Sequence, residues 1–296
     1  MTTKLDLSNY LECKEFDDDL EIIGNLNSST DELSAYLGMI SDCKCVESVF
    51  IDHNAKIPNL KFLELFVNLE VLVISGVVES LNGIEKCQKL QDLSINFDRL
   101  DNDILNSING KNYGFLKIQS LESEEVGSFS HIREIENLTL HNLKTSDLSF
   151  LSHIEVGGLH IYNSKLSMLD GFEKIKNISR LSFSNCQKLE TIKSSSLVSL
   201  SGITIDTCNR LDLNQLKNCF STRFLMISSC KRDVDLKNLL EVSSIEELTC
   251  NELNINYEVN SDIDTSSLKV VTLSPIKKKV LVELSEKFSN VIWKKV

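Results

Sequence analysis

The sequence is poor in the residues that punctuate ordinary loops: 2 prolines and 11 glycines in 296 residues, with no cluster of either. No Pro/Gly-rich stretch therefore marks a linker between domains. Apolar runs extend over only a few residues, too short for a membrane helix. The opening residues, MTTKLDLSNYLECKEFDDDLEII, lack the basic-then-apolar order of a secretory leader. Basic residues are also in deficit, 31 Lys and Arg against 43 Asp and Glu, for a formal net charge of -12. Such a surface repels phosphate backbones and argues against nucleic acid as a general partner. Neither phosphate-cradling Gly-rich loop occurs, and neither H-E-x-x-H nor C-x-x-C is found. These absences predict a chain with no catalytic residues, no cofactor, no metal site and no membrane partner.

Cysteine is not scarce. There are 9, an odd number, and with no export signal they are expected as free thiols in a reducing cytoplasm. Charge is uneven along the chain. Glu12 to Glu21 carries six acids against Lys14, and Ile276 to Val296 carries six lysines against Glu283 and Glu286. Both runs read as solvated terminal caps.

The segments SFSNCQKLETI, TIDTCNRLDL and MISSCKRDVDL place Cys186, Cys208 and Cys230 at equal intervals. Aligned on them, a pattern Φ-x-x-Φ-x-Φ (Φ apolar) recurs in eleven rows, from Val46/Val49/Ile51 to Leu268/Val271/Leu273. The rows follow one another at a nearly constant spacing, the signature of a repeat architecture. Eleven rows of three give 33 slots, of which 32 are apolar and Thr222 is the exception. The composition alone would fill roughly 14. The two slots beside the last two Φ residues are apolar in only four of 22 cases: Phe50, Val73, Tyr162 and Met226. Period-two alternation over so few residues predicts a short half-buried strand in every row. Between rows, Leu166, Leu169, Phe172, Ile175 and Ile178 recur every third residue, which suits a return arm of turns and 3₁₀ pieces.

These rows resemble leucine-rich repeats, in the roughly 22-residue style of bacterial internalin-like and eukaryotic protein-phosphatase-regulator-like proteins. The resemblance spans about Val46 to Leu273. It implies an α/β solenoid: a horseshoe with a parallel concave sheet of about 11 short strands, 3₁₀ or irregular convex arms and terminal caps. Residues 1–45 would form an N-terminal cap, 46–275 the array, and 276–296 a C-terminal cap of helix and strand. Within the first cap, LEIIGN is expected as a strand, and Thr30 as the N-cap of a helix with Leu33, Leu37 and Ile40 on one face. Within the second, Phe288, Val291 and Trp293 repeat the Φ spacing.

Cys186, Cys208 and Cys230 fall three residues after the last Φ, where such repeats carry Asn or Cys. A buried polar side chain there bonds the backbone exposed by the turn. Asn54 takes this structural-ladder slot in the first row, while Val77, Asp98, Leu121, Leu143, Ser164, Leu253 and Ile276 depart from the pattern. Cys43 and Cys45, one residue apart, make a poor metal knuckle and read as boundary cysteines.

Lys117, Gln119, Thr139, His141, His160, Tyr162, Arg180 and Asp206 occupy outward slots in the middle of the array. Gly158 and Gly202 flank Arg180 in its own column and leave it room to lie across the sheet. Aromatic and Arg residues concentrate binding energy, so this patch is the expected protein-binding site on the concave face. The resemblance implies a non-catalytic protein–protein interaction module that is monomeric on its own. The reading carried forward is an intracellular inhibitor or immunity-like protein against a toxin, its acidity suited to a basic partner. The alternatives are a regulatory subunit of a phosphatase or other enzyme, and a secreted virulence-associated repeat protein.

Overall fold

A computed structural model of the chain describes residues 1–9, 15–40, 43–96, 108, 110–119 and 132–295. Of the ladder slots named above, Asp98 and Leu121 lie outside these residues. The chain divides into two compact units, Met1–Thr139 and Leu140–Val296. The first holds β1 (Thr2–Asp6), β2 (Asp19–Ile23), β3 (Ser48–Ile51), β4 (Val71–Ile74), β5 (Asp92–Ile95) and β6 (Tyr113–Gln119). A further strand, β7 (Glu134–His141), carries the unit boundary. The second holds β8 (Glu155–Tyr162), β9 (Arg180–Ser184), β10 (Val198–Asp206), β11 (Phe220–Ser228), β12 (Glu247–Asn251), β13 (Val270–Ser274) and β14 (Ile292–Lys295).

From β1 to β6, and again from β8 to β14, every strand pairs in parallel with the next one in the chain. The recurrence read from the sequence becomes an unbroken register. Val49, Leu72, Leu93 and Leu116 stand in one inward column. In the second unit Leu159, Leu181, Ile203, Leu225, Leu248 and Val271 do the same. All the Φ slots are buried, the most exposed being Ile178 at 7%. Thr222, the polar exception, is 1% exposed and satisfies its hydroxyl by donating to the Phe224 carbonyl at 3.1 Å. Each unit is thus a stack of repeat coils in which identical spacing gives identical neighbours.

The return arms carry 3₁₀ turns at Lys61–Leu65, Ile84–Lys86, Ser149–Leu151, Phe172–Lys174 and Leu213–Gln215. The first helix of the chain is α1 (Thr30–Ile40), and two short helices, α2 (Leu216–Cys219) and α3 (Leu236–Leu240), also lie in the arms. The arms bury most of their every-third residues, Leu166 only partly. Leu169 and Phe172 are fully buried, and Phe172 meets Phe183 and Phe220 edge-on at 5.9 and 5.8 Å. Short parallel bridges knit neighbouring arms, as between Met168–Leu169 and Thr191–Ile192.

At the ends and turns the structure departs from the sequence reading in identifiable ways. β1 is an additional strand. It pairs Thr3 with Leu20 and Leu5 with Ile22, a shorter step along the chain than any between later rows. Thr3 takes the place of an apolar slot, and Leu5 and Leu7 supply the burial. Helix α1 is capped by Ser29 rather than Thr30. The Ser29 hydroxyl accepts from the Glu32 amide at 3.3 Å, and the Glu32 carboxylate accepts from the Ser29 amide at 3.2 Å. That reciprocal box frees the buried Thr30 hydroxyl to donate to Asn59 at 2.8 Å. At the other end β14 pairs with Trp293 opposite Val271 and Lys295 opposite Leu273. Its register therefore differs from the Phe288/Val291/Trp293 alignment, and Phe288 and Val291 are buried between α4 (Lys278–Lys287) and the strand.

Asn54 is not a ladder residue. The Asp52 carboxylate accepts both its amide (2.8 Å) and its side-chain nitrogen (3.0 Å), which holds Asn54 at the surface and turns the fully buried Ala55 inward. Val77 is likewise 53% exposed while Val78 is buried.

Glycine is required where coils approach most closely. Gly83 sits at φ +112°, and a Cβ there would lie 2.3 Å from the Leu60 carbonyl oxygen. Gly38, on the exposed side of α1, has open space around it. Gly83→Ala is therefore expected to lower unfolding free energy by about 2 kcal/mol or more, and Gly38→Ala to raise it by about 0.5–1 kcal/mol, as read by urea denaturation.

Candidate functional site

From β7 to β12 the turn out of each strand is the same local device. Asn142, Asn163, Asn185, Thr207, Ser229 and Glu252 all adopt left-handed backbone, with φ between 52° and 56°. Each donates its amide to the last residue of the following strand, from Asn142 to Tyr162 through Glu252 to Ser274. The next residue turns into the core: Leu143, Ser164, Cys186, Cys208, Cys230 and Leu253 are all buried. Ser164 donates its hydroxyl to the Leu143 carbonyl at 3.0 Å. Cys186 reaches the Ile161 carbonyl at 3.5 Å, Cys208 the Asp206 carbonyl at 3.5 Å and Cys230 the Ser228 carbonyl at 3.3 Å. The three are free thiols. Burial holds Cys230 up at about 11, so its thiol stays protonated and donating. Among the described residues no three His, Cys, Asp or Glu side chains gather as a metal site would require.

This turn sets the height of the outward face. Three columns run across β8 to β14. The first reads Gly158, Arg180, Gly202, Phe224, Glu247, Val270, Ile292, and the second His160, Ser182, Thr204, Met226, Thr249, Thr272, Lys294. The third reads Tyr162, Ser184, Asp206, Ser228, Asn251, Ser274. Arg180 thus stands between two glycines, as its spacing predicts, and is exposed.

The predicted patch is divided by the unit boundary. Lys117 and Gln119 on β6 and Thr139 on β7 belong to the first unit, and all three are half-buried. His141, His160, Tyr162, Arg180 and Asp206 belong to the second. There the rings of His141 and Tyr162 stack at 5.0 Å and 23°, and His160 lies 6.0 Å from Tyr162. An amide relay supports the cluster from the turns: Asn185 donates to Asn163 at 3.0 Å, and Asn163 lies 3.5 Å from His141 Nε2. Asp206 is held by neighbouring hydroxyls, Ser228 at 2.5 Å and Thr207 at 3.0 Å.

His160 Nε2 lies 3.1 Å from the Ser184 hydroxyl, a nucleophile–base distance not evident from sequence spacing. The Asp206 carboxylate, which would have to orient the imidazole, is instead bonded to Ser228 and Thr207. Neither the 710 Å³ cavity beside Tyr257 and Leu284 nor the 280 Å³ cavity beside Phe172 and Leu197 contains the pair. The arrangement is a polar surface with aromatic side chains on it.

Two exposed apolar side chains join the face beyond the predicted residues. Phe224 is 41% exposed and Met226 45%. Met226 is one of the four apolar exceptions in the outward slots. Phe224 escapes that count because it lies one slot earlier, where β11 is still within its longer strand. The Arg223 guanidinium covers the Phe224 ring at 5.4 Å and pairs with Glu246 at 2.6 Å, which also binds Lys269 at 2.6 Å. The hydrogen bonds from these two cations hold Glu246 down at about 2.

Protein-family models give no match to this chain, and no curated protein matches it. Among solved structures the chain is similar to a leucine-rich repeat protein of Leptospira interrogans. Identity is 13%, over 96% of this chain and 90% of that one, with a TM-score of 0.31. At that score the likeness adds nothing to the repeat build visible in the strand register.

Burial pushes the His160 imidazole below its ordinary 6.5. The fold favours the neutral ring while the unfolded chain protonates near 6.5, so stability is full above that pH and is lost as pH falls below it. His160→Gln is expected to flatten the decline in unfolding free energy between about pH 7 and pH 5, and the His160 ring protons should titrate with a midpoint below 6.5 in an NMR series.

Proposed function

We propose that this chain is a non-catalytic protein-binding module whose partner docks on the open face of the sheet. The observation that carries the reading is the contrast between the two faces of the same strands. The inward columns are closed and apolar. The outward columns of the second unit present Tyr162, Phe224 and Met226, each at least 39% exposed, beside the exposed Arg180. Large apolar and Arg side chains on a backbone fully engaged in strand pairing give contact area at small ordering cost.

Within that class we favour an intracellular inhibitor of the immunity type, acting as a monomer against a toxin. The net charge of -12 suits a basic target reached by electrostatic steering. On this reading the partner associates one-to-one, and added salt weakens the complex mainly by slowing association.

Affinity capture from a native lysate at low and moderate salt, followed by mass spectrometry, supplies the partner. The expected result is one stoichiometric protein retained at both salt levels. His160→Glu together with Arg180→Glu should then weaken it by about tenfold or more. An unchanged affinity would place the contact elsewhere on the molecule, and a salt-independent association rate would remove the immunity reading.

A further inference from the structure

A second surface lies in the first unit, and its interpretation rests on the reading of the open face as protein-binding. Of the four apolar exceptions in the outward slots, Phe50 and Val73 are direct neighbours in the sheet, on β3 and β4. Val71, on the same strand as Val73, pairs with Ser48 and extends the patch. All three are half-buried. The core does not need them, because Val49, Ile51, Leu72 and Ile74 on the same strands already close the inward side at 1% exposure or less. Ser94 pairs with Val73 on the far side, so small side chains border the patch at both Ser48 and Ser94.

Carboxylates surround this apolar floor. Glu47 and Glu70 stand exposed at the starts of β3 and β4. Their main chains are fixed: the Glu47 carbonyl accepts the amides of Glu70 and Val71, and the Glu70 carbonyl those of Gln91 and Asp92. Asp19 and Asp92 bracket Ser48 and Val71 in the same outward column. Asp52 follows β3, and the hydrogen bond from the Asn54 amide holds its carboxyl below the ordinary range. The opposing cations on the outward slots of β1 to β6 are Lys4 and Lys117. Lys4 is committed to Glu21 at 2.9 Å, and Lys117 stands beyond Ser94 on β6. Asp19, Glu47, Glu70 and Asp92, together with the His53-bonded Asp52 and the Lys4-paired Glu21 beside Phe50, therefore border three apolar side chains.

We infer that this face receives a basic protein segment that lays apolar side chains against Phe50, Val71 and Val73 and sets Lys or Arg side chains on the surrounding carboxylates. An apolar centre with a charged rim is the usual anatomy of a specific interface. The excess of carboxylates in the rim selects the charge of the occupant, since an acidic segment would meet mostly like charge. The rim also steers encounter, so the salt dependence of binding should originate here.

The test uses random peptides displayed on phage, selected against the immobilised full chain. Enriched sequences should combine Lys or Arg with Leu, Ile, Phe or Trp. Their affinity should fall by about tenfold or more for the variant Phe50→Ser with Val73→Thr. A second variant, Glu47→Gln with Asp92→Asn, leaves the apolar floor and the core untouched. It should weaken the same peptides and flatten their salt dependence. Thermal unfolding of both variants verifies the fold. Enrichment of acidic or uncharged sequences, binders indifferent to both variants, or no enrichment at all would overturn the inference. Binders that map to the second unit would overturn it while leaving the protein-binding reading standing, and the lysate capture judges that broader reading independently.

Discussion

Lateral hydrogen bonding between parallel strands in constant register is the constraint on which the rest of this structure depends. A single repeat coil cannot close its own apolar side; it is covered only by the coil before and the coil after. Leu181 is buried because Leu159 and Ile203 stand beside it at the same height. A one-residue slip would turn every inward side chain to solvent. Each inward Leu or Ile contributes about 1.5–3 kcal/mol on burial, and each row supplies three, so register is specified many times over.

That surplus explains the turns. A non-glycine residue in left-handed backbone costs about 1–2 kcal/mol, and Thr207 and Ser229 gain little relief from their residue type. The second unit accepts six such residues in successive turns. Each lets one amide reach the next strand and drops the following side chain into the core, where Ser164, Cys186, Cys208 and Cys230 find carbonyl acceptors. The burial gained per coil exceeds the strain of its turn. The cysteine triplet is one chemical solution to that slot, with serine and leucine as others.

Because the inward columns hold the stack together, the outward columns are released from that duty. Tyr162, Phe224 and Met226 in one unit, and Phe50, Val71 and Val73 in the other, are apolar side chains that the core does not require. The two faces also differ in charge. The first unit rings its apolar residues with carboxylates, whereas the second mixes Arg180 and a fixed Arg223–Glu246–Lys269 network with hydroxyls.

Period and register were legible in the sequence because the inward alternation is nearly perfect: even Thr222, the one polar slot, folds as its row demands. What was not legible has local causes. β1 carries Thr3 where a row needs an apolar residue, Ser29 outcompetes Thr30 only through its reciprocal bond with Glu32, and Asn54 is diverted by the neighbouring Asp52 carboxylate. The Arg180 column was readable from spacing alone. The contact of His160 with Ser184 joins different columns of neighbouring strands, which the alignment of rows does not reveal.

The measurement that tests the account most directly compares outward with inward truncation in the same unit. The account predicts that Tyr162→Ser, Phe224→Ser and Met226→Ser combined shift the free energy of unfolding by no more than about 1 kcal/mol. Leu181→Ala alone should cost about 2–5 kcal/mol. A triple outward variant as destabilised as the single inward one would contradict it, since those side chains would then belong to the scaffold rather than to a binding surface.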